Sequence, residues 1–335
     1  MFIQLFKKSY LFVVSIFFVL ISCSNNEFEV TEYYFIEPDK IMNPTSEYMV
    51  IIGDIQDYTA SAANLPYLTY SLDWIRNQNN FYQNIKCVLQ NGDITWGNIE
   101  EQWWVGKNAF DHLGDSIMYV WCTGNHDYDW GVSSIIADRN SSMLNLYGHN
   151  RLLDENIICE FEPGKLDNII VKNTINDKRI DIISLEFGAR PEVIKWAADY
   201  VKENFDRKFI LMTHEHLTAA GKLVTIGNSY AHAQFGDFPH TDPEDVWEKL
   251  LKPNDNIICL ICGHNGFCKY LETENDAGRM VPQILFNLQY QINGGDSMVM
   301  LWEFPFGEDK INISVYNTKQ KEFYKEDITS FSFRY

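Results

Sequence analysis

Five times along this chain an apolar, β-branched run breaks into metal-binding chemistry. "YMVIIGDIQ" ends on Asp54 and Gln56, "IKCVLQNGD" on Asp93, and "IMYVWCTGNHD" on Asn125, His126 and Asp127. "KFILMTHEH" ends on His214 and His216, and "NIICLICGH" on His264. Short runs of this kind read as buried strands, and the ends of parallel strands are where open α/β sheets place their reactive groups. Gly53, Gly92, Gly124 and Gly263 stand directly before the polar residue, where glycine lets the backbone turn sharply into a shared site. Taken singly, a Gly-Asp is a turn and a buried His is a core residue with a hydrogen bond. Taken together, five such strand ends would bury many polar groups at high cost unless something satisfies them. A metal ion would do so.

The segments between these strands carry a helical period. Leu68, Leu72 and Ile75 share a face after Pro66; Ile99, Trp103, Gly106, Phe110 and Leu113 share another, stopped by Gly114. Pro191 opens a helix through Trp196 and Val201, and Pro243 to Leu251 form a short one. "NIICEF", "NIIVKN", "RIDIISLEF", "QILFNLQY", "SMVMLWEF" and "INISVYN" read as further strands, whereas Tyr128 to Arg151 reads as irregular. Alternation in the first half and strand clusters in the second predict two stacked sheets with helices outside, in one domain.

The N-terminus, "MFIQLFKKSYLFVVSIFFVLISC", has Lys7 and Lys8, an apolar stretch from Leu11 to Ile21, then Ser22 and Cys23. That order is a secretory signal, with an apolar run short for a full span. "LISC" resembles the bacterial lipobox, which would make Cys23 the lipidated first residue of an exported protein anchored to the cell envelope membrane. Residues 1–22 are thus expected to be a signal peptide, 23–46 a tether and 47–335 the domain. The formal charge of −19 and pI near 4.7 oppose binding to nucleic acid through its backbone, but leave room for a small phosphorylated substrate where metal supplies positive charge. Cys87, Cys122, Cys259 and Cys262 lie in or beside apolar runs and read as small hydrophobes. The "CLIC" spacing has no second CxxC to complete a zinc site. An exported chain with these cysteines could hold a disulfide.

In order, Asp54, Gly92-Asp93, "GNHD" at Gly124 to Asp127, His214 and Gly263-His264 resemble the motifs of the calcineurin-like metallophosphoesterases. The resemblance covers roughly residues 48 to 305 and extends to "NLQYQINGGDSMVMLWEF", whose Tyr-Gln and Gly-Gly element looks like that of one subgroup. It implies an αββα sandwich of two mixed sheets flanked by helices, with two divalent metal ions at the strand ends. One ion would keep its full set, Asp93, Asn125, His214 and His264. The other would keep Asp54 and the shared Asp93. The family's usual Asp-x-His is here Asp54-Ile55-Gln56, and its Gly-His-x-His is Gly263-His264-Asn265-Gly266. A Gln carbonyl is a harder, weaker donor than imidazole, so Mn²⁺ suits that site, with Fe²⁺ or Zn²⁺ also suited to the intact one.

The implied reaction is hydrolysis of phosphate mono- or diesters by a hydroxide bridging two cations. His126 and Asp127 are the expected catalytic pair, His126 stabilising the phosphoryl group or protonating the leaving oxygen. Tyr58, Trp96, His216 and Arg190 are expected to line the substrate pocket, beside Tyr128, Trp130, Phe187 and Glu215. The alternative is a surface lipoprotein with one retained metal that binds a ligand without turnover. No Gly-x-Ser-x-Gly elbow offers a serine nucleophile.

Overall fold

The computed structural model describes residues 38–325 and 329–335, all within one compact unit, Tyr33–Tyr335. The signal segment and Cys23 lie outside the described residues. The end of the expected tether does not. Met42 is buried, and Asp39 Oδ2 accepts hydrogen bonds from Trp74 Nε1 at 2.8 Å and Tyr316 Oη at 2.9 Å. Residues 38–46 therefore pack onto the domain instead of hanging from it.

Two sheets form its middle. In the first, Glu47–Ile52, Ile85–Gln90 and Met118–Trp121 run parallel, and Met298–Phe304, Lys310–Asn317 and Glu322–Phe323 extend it antiparallel. In the second, Lys178–Ser184, Lys208–Met212, Ile257–Cys262 and Met280–Asn287 run parallel. Phe267–Glu274 closes one edge of that sheet antiparallel, and Ile169–Val171 and Ile157–Glu160 the other. The edge strand Phe267–Glu274 has no apolar run to announce it, because its sequence, "FCKYLETE", faces solvent along much of its length.

Alternation within the strands sorts the core into layers. Ile210 and Met212 join the large cluster between the sheets, while Phe209 and Leu211 point outward onto Val193, Ile194, Ala197 and Val201 of the helix Pro191–Glu203. On the other side, Leu68, Leu72 and Ile75 of the helix Leu65–Tyr82, with Trp103 and Phe110 of Glu100–Phe110, cover the first sheet. The layering is helix, sheet, sheet, helix. Cys259 and Cys262 fall in different clusters, one on each face of their strand, so the CxxC spacing brings no pair of thiols together. The cysteines among the described residues are all free.

Candidate metal centre

Parallel strands of both sheets end on one rim, and two buried amides tie the sheets together there. Asn91 Nδ2 donates to the carbonyls of Cys262 at 2.8 Å and Phe286 at 2.9 Å, and Asn287 Nδ2 donates to Asp54 Oδ2 at 2.6 Å. The rim is tight enough to demand glycine. A Cβ on Gly92, whose φ is +104°, would collide with the His214 ring, and one on Gly124 would collide with the Asp93 carboxylate.

The polar groups that converge are Asp54, Gln56, Asp93, Asn125, His214 and His264. Asp93 sits at their centre. Its Oδ1 accepts from the His126 backbone N–H at 3.0 Å, and its Oδ2 from Gln56 Nε2 at 2.9 Å. His214 Nδ1 lies 2.8 Å from the Asn91 carbonyl. A carbonyl only accepts, so Nδ1 carries a proton, and in the neutral ring the lone pair sits on Nε2. That atom lies 3.2 Å from Asp93 Oδ1 without hydrogen-bond geometry. His264 Nδ1 is 2.9 Å from Asn125 Oδ1, and the His264 backbone N–H donates to Asp54 Oδ1 at 3.2 Å.

This donor set fits a divalent ion. Asp93, His214 and His264 each offer a ligand atom, all within 4.8 Å of one another. The separations of 3.2 and 2.9 Å match neighbouring donors on one ion, which metal–ligand bonds of about 2.0–2.2 Å place about 2.8–3.6 Å apart, from octahedral to tetrahedral geometry. Fixing His214 by a main-chain carbonyl is the usual way a ligating imidazole is oriented. Gln56 Oε1 and His214 Nε2 are buried with no hydrogen-bond partner, the signature of groups awaiting a cation. A proton and a cation compete for that Nε2. Burial opposes charge on both His214 and Asp93, yet each stabilises the other's ionised form, raising His214 to about 10 and holding Asp93 below the usual carboxylate range. Burial pushes Asp54 well up, and burial with the charge of His214 pushes His264 down to about 3.

The sequence model of the calcineurin-like phosphoesterases matches residues 49–266. The chain belongs to that family. The helix–sheet–sheet–helix layering is the fold of that family. The uncharacterized protein YvnB of Bacillus subtilis (strain 168) is 25% identical over 83% of this chain, which spans only 20% of YvnB. The purple acid phosphatase PPD1 from yellow lupin (Lupinus luteus) seeds superposes with a TM-score of 0.53 at 12% identity, over 86% of this chain and 54% of its own.

Beside the phosphoesterase motifs, the other expected site residues divide. His126 stands at the rim, its ring between Trp96 at 4.6 Å and Trp130 at 4.7 Å. Its Nδ1 donates to the Trp96 carbonyl at 3.0 Å, which leaves Nε2 as the acceptor of the neutral ring. Trp96 is 43% exposed and is steadied by Nε1 donating to Asp57 Oδ1 at 2.8 Å. Asp127 is fully buried instead, and both carboxylate oxygens accept from the backbones of Gly124, Ile94 and Thr95 and from the Thr95 hydroxyl. Burial lifts it to about 7 against those donors. It clamps two motif loops and is a positioning residue, not half of a catalytic pair.

Three expected pocket residues are corrected. Tyr58 is 5% exposed and packs under Gly294 and Gly295. His216 is wholly enclosed, with Nε2 donating to Gln283 Oε1 at 2.7 Å and burial lowering it to about 4. Arg190 is held by Glu186 at 2.9 Å and Glu162 at 2.7 Å. Each has a partner or core position that the sequence does not display. Glu215 likewise accepts from the backbone N–H groups of Tyr230 and Ala231, and so seats the helix Tyr230–Phe235 against the centre, with the Tyr230 ring 4.4 Å from that of His264. Residues missed from sequence include Asn91, Asn287 and Tyr290. The first stands in "NGD", beside a recognised motif; the other two lie in "NLQYQ", where only the subgroup resemblance gives a signal. Tyr290 lies over Gly266, where an added Cβ would meet its Cδ2 at 2.7 Å. The ring thus fills the space the family's second histidine would use.

Proposed function

We propose that this chain is an exported, lipid-anchored phosphoesterase that hydrolyses small phosphate mono- or diesters with two divalent cations, Mn²⁺ above all. The observation that carries the reading is the buried set of unpartnered donors, Gln56 Oε1 and His214 Nε2, around a central carboxylate, Asp93. Asp93, Asn125, His214 and His264 would hold one cation; Asp54, Gln56 and the shared Asp93 would hold the other. Bound there, the cations supply an activated water and neutralise charge on the phosphoryl oxygens. Asn91 holds the ring of His214 so that Nε2 faces the centre. Trp96 and Trp130 flank the ring of His126, and when that ring is protonated its Nε2–H would donate to a phosphoryl oxygen or give a proton to the leaving oxygen. With Arg190 engaged elsewhere, phosphate recognition falls to the cations and His126, and the exposed indoles of Trp96 and Trp130 offer a face for the ester's organic group.

A panel of phosphate monoesters and diesters assayed with added Mn²⁺ tests the reaction. Turnover of at least one class is expected, and none with any ester under Mn²⁺, Zn²⁺ or Fe²⁺ would return the chain to a ligand-binding role. The anchor is tested separately. Cys23→Ser is expected to block processing or release the protein from the membrane fraction, since lipid on one cysteine supplies the multiple acyl chains stable anchoring needs. A variant that is processed and fractionates like the wild type would remove the lipoprotein assignment.

A further inference from the structure

A second cluster of ligand atoms lies outside the motifs, in the segment between His214 and His264. His232 Nδ1 and His240 Nε2 are 3.2 Å apart, and His232 Nδ1 is 3.8 Å from Asp242 Oδ2. All three donor atoms fall within 4.8 Å of one another. His240 Nδ1 lies 2.8 Å from the Phe238 carbonyl, so Nδ1 holds the proton and the lone pair on Nε2 points at His232. A main-chain carbonyl thus fixes this ring as one fixes His214, and Nε2 accepts a hydrogen bond from His232 Nδ1.

Asp242 supplies the independent sign. It precedes the helix Pro243–Val246, where an Asp ordinarily accepts a backbone N–H of the first turn, yet its side chain makes no capping bond. It is 9% exposed, and its Oδ1 is buried with no hydrogen-bond partner. Leaving a buried carboxylate oxygen unpaired is costly, and a cation held by the same carboxylate, whose Oδ2 is the oxygen near His232, would lower that cost.

We infer that His232, His240 and Asp242 bind a further divalent ion, of the borderline class typified by Zn²⁺. Two imidazoles and one carboxylate are a zinc donor set, and zinc–nitrogen bonds of 2.0–2.1 Å place tetrahedral neighbours about 3.3 Å apart. The observed 3.2 and 3.8 Å need only a small side-chain adjustment to meet this. A water takes the fourth position. Binding releases any proton on His232 Nδ1, so affinity falls in acid.

The ion would act as a clip. The ring of His240 lies parallel to Phe235 at 6.2 Å, Phe235 packs on Phe187 at 5.4 Å, and Phe187 meets the rings of His214 at 5.9 Å and His264 at 6.3 Å. Tyr230, on the same short helix as His232 and Phe235, touches His264. Joining positions 232, 240 and 242 would fix the wall of the metal centre from behind.

The inference does not rest on phosphoesterase activity, and zinc content decides it. The full chain is equilibrated with Zn²⁺, desalted and analysed for zinc by mass spectrometry, as wild type, as His232→Gln/His240→Gln and as Asp93→Asn/His264→Ala. The first variant is expected to hold one zinc fewer per chain than wild type. The second, with the motif centre broken, is expected to keep one zinc and lose it when His232→Gln is added. Because the His232 side chain is 49% exposed, His232→Gln alone serves if a double variant does not fold. Co²⁺ substitution adds a spectroscopic reading, a tetrahedral visible band that disappears with His232→Gln. Equal zinc content in the wild type and the His232 and His240 variants, with an unchanged Co²⁺ spectrum, would overturn the site.

Discussion

The two halves of the metal centre meet at Asp93 but are made of different chemistry. On one side stand two imidazoles, His214 and His264, one with its tautomer fixed by a main-chain carbonyl and the other paired with Asn125. On the other stand Asp54 and the neutral amide of Gln56, and where the family's second imidazole would be there is Gly266 under the Tyr290 ring. Nitrogen donors hold borderline cations more tightly than neutral oxygens do, while oxygen-only sites favour harder ions. If the centre holds the two cations proposed for it, one is expected to be tight and the other loose and exchangeable. The altered half is also filled, since Tyr290 takes the room that the absent histidine would need, and it differs from the family pattern without leaving a hole.

The sharpest way to break the comparison is to remove what the halves share. Asp93→Asn deletes a buried charge facing His214. Losing one partner of such a pair costs about 3–5 kcal/mol of stability, so Tm should fall, both cations should bind poorly and activity should drop with them. Metal analysis beside kcat/KM checks this, and a variant retaining full metal content would show that Asp93 is not shared. Asn91→Ala acts on the imidazole half from outside. It removes two buried hydrogen bonds between the sheets and loosens the carbonyl that orients His214. Metal affinity should fall about 10–100-fold, as for other groups that orient ligands, and Tm should drop with a loss of about 1–3 kcal/mol.

Gln56 tests the oxygen half alone. Gln56→Ala should raise the Mn²⁺ concentration for half-maximal rate by about tenfold, leaving the tighter cation bound after dialysis. Gln56→His should shift preference toward Zn²⁺ or Fe²⁺. Unaltered Mn²⁺ dependence in Gln56→Ala would leave Asp54 as the only contribution of "GDIQD". The smallest effect is expected from Gly266→His, because the Tyr290 ring occupies the space it needs. Zinc affinity measured by titration should hardly change in that variant and rise only when Tyr290→Ala accompanies it. A gain from Gly266→His by itself would mean that the ring swings aside freely.

The strands, their Gly-bounded ends and the identities of the converging donors were legible in the sequence, because period-two apolar runs and the residues that break them are local properties. Asp54, Gln56, Asp93, Asn125, His214 and His264 all reach one rim. What a side chain does once there was not legible. Asp127 and Glu215 carry carboxylates as Asp93 does, yet both are absorbed by backbone N–H groups. Arg190 is as basic as any phosphate ligand, yet Glu186 and Glu162, from other turns of the fold, engage it. Tyr58 and His216 sit beside motif residues, yet point into the core. His232 lies on a short helix and His240 and Asp242 in the segment after it, with no apolar period to join them, and only the fold shows that their donor atoms approach one another. Strand ends are set by the order of residues along the chain. Whether a polar group is free to bind something depends on which other groups have already met it, and those partners come from distant segments that only the tertiary structure brings together.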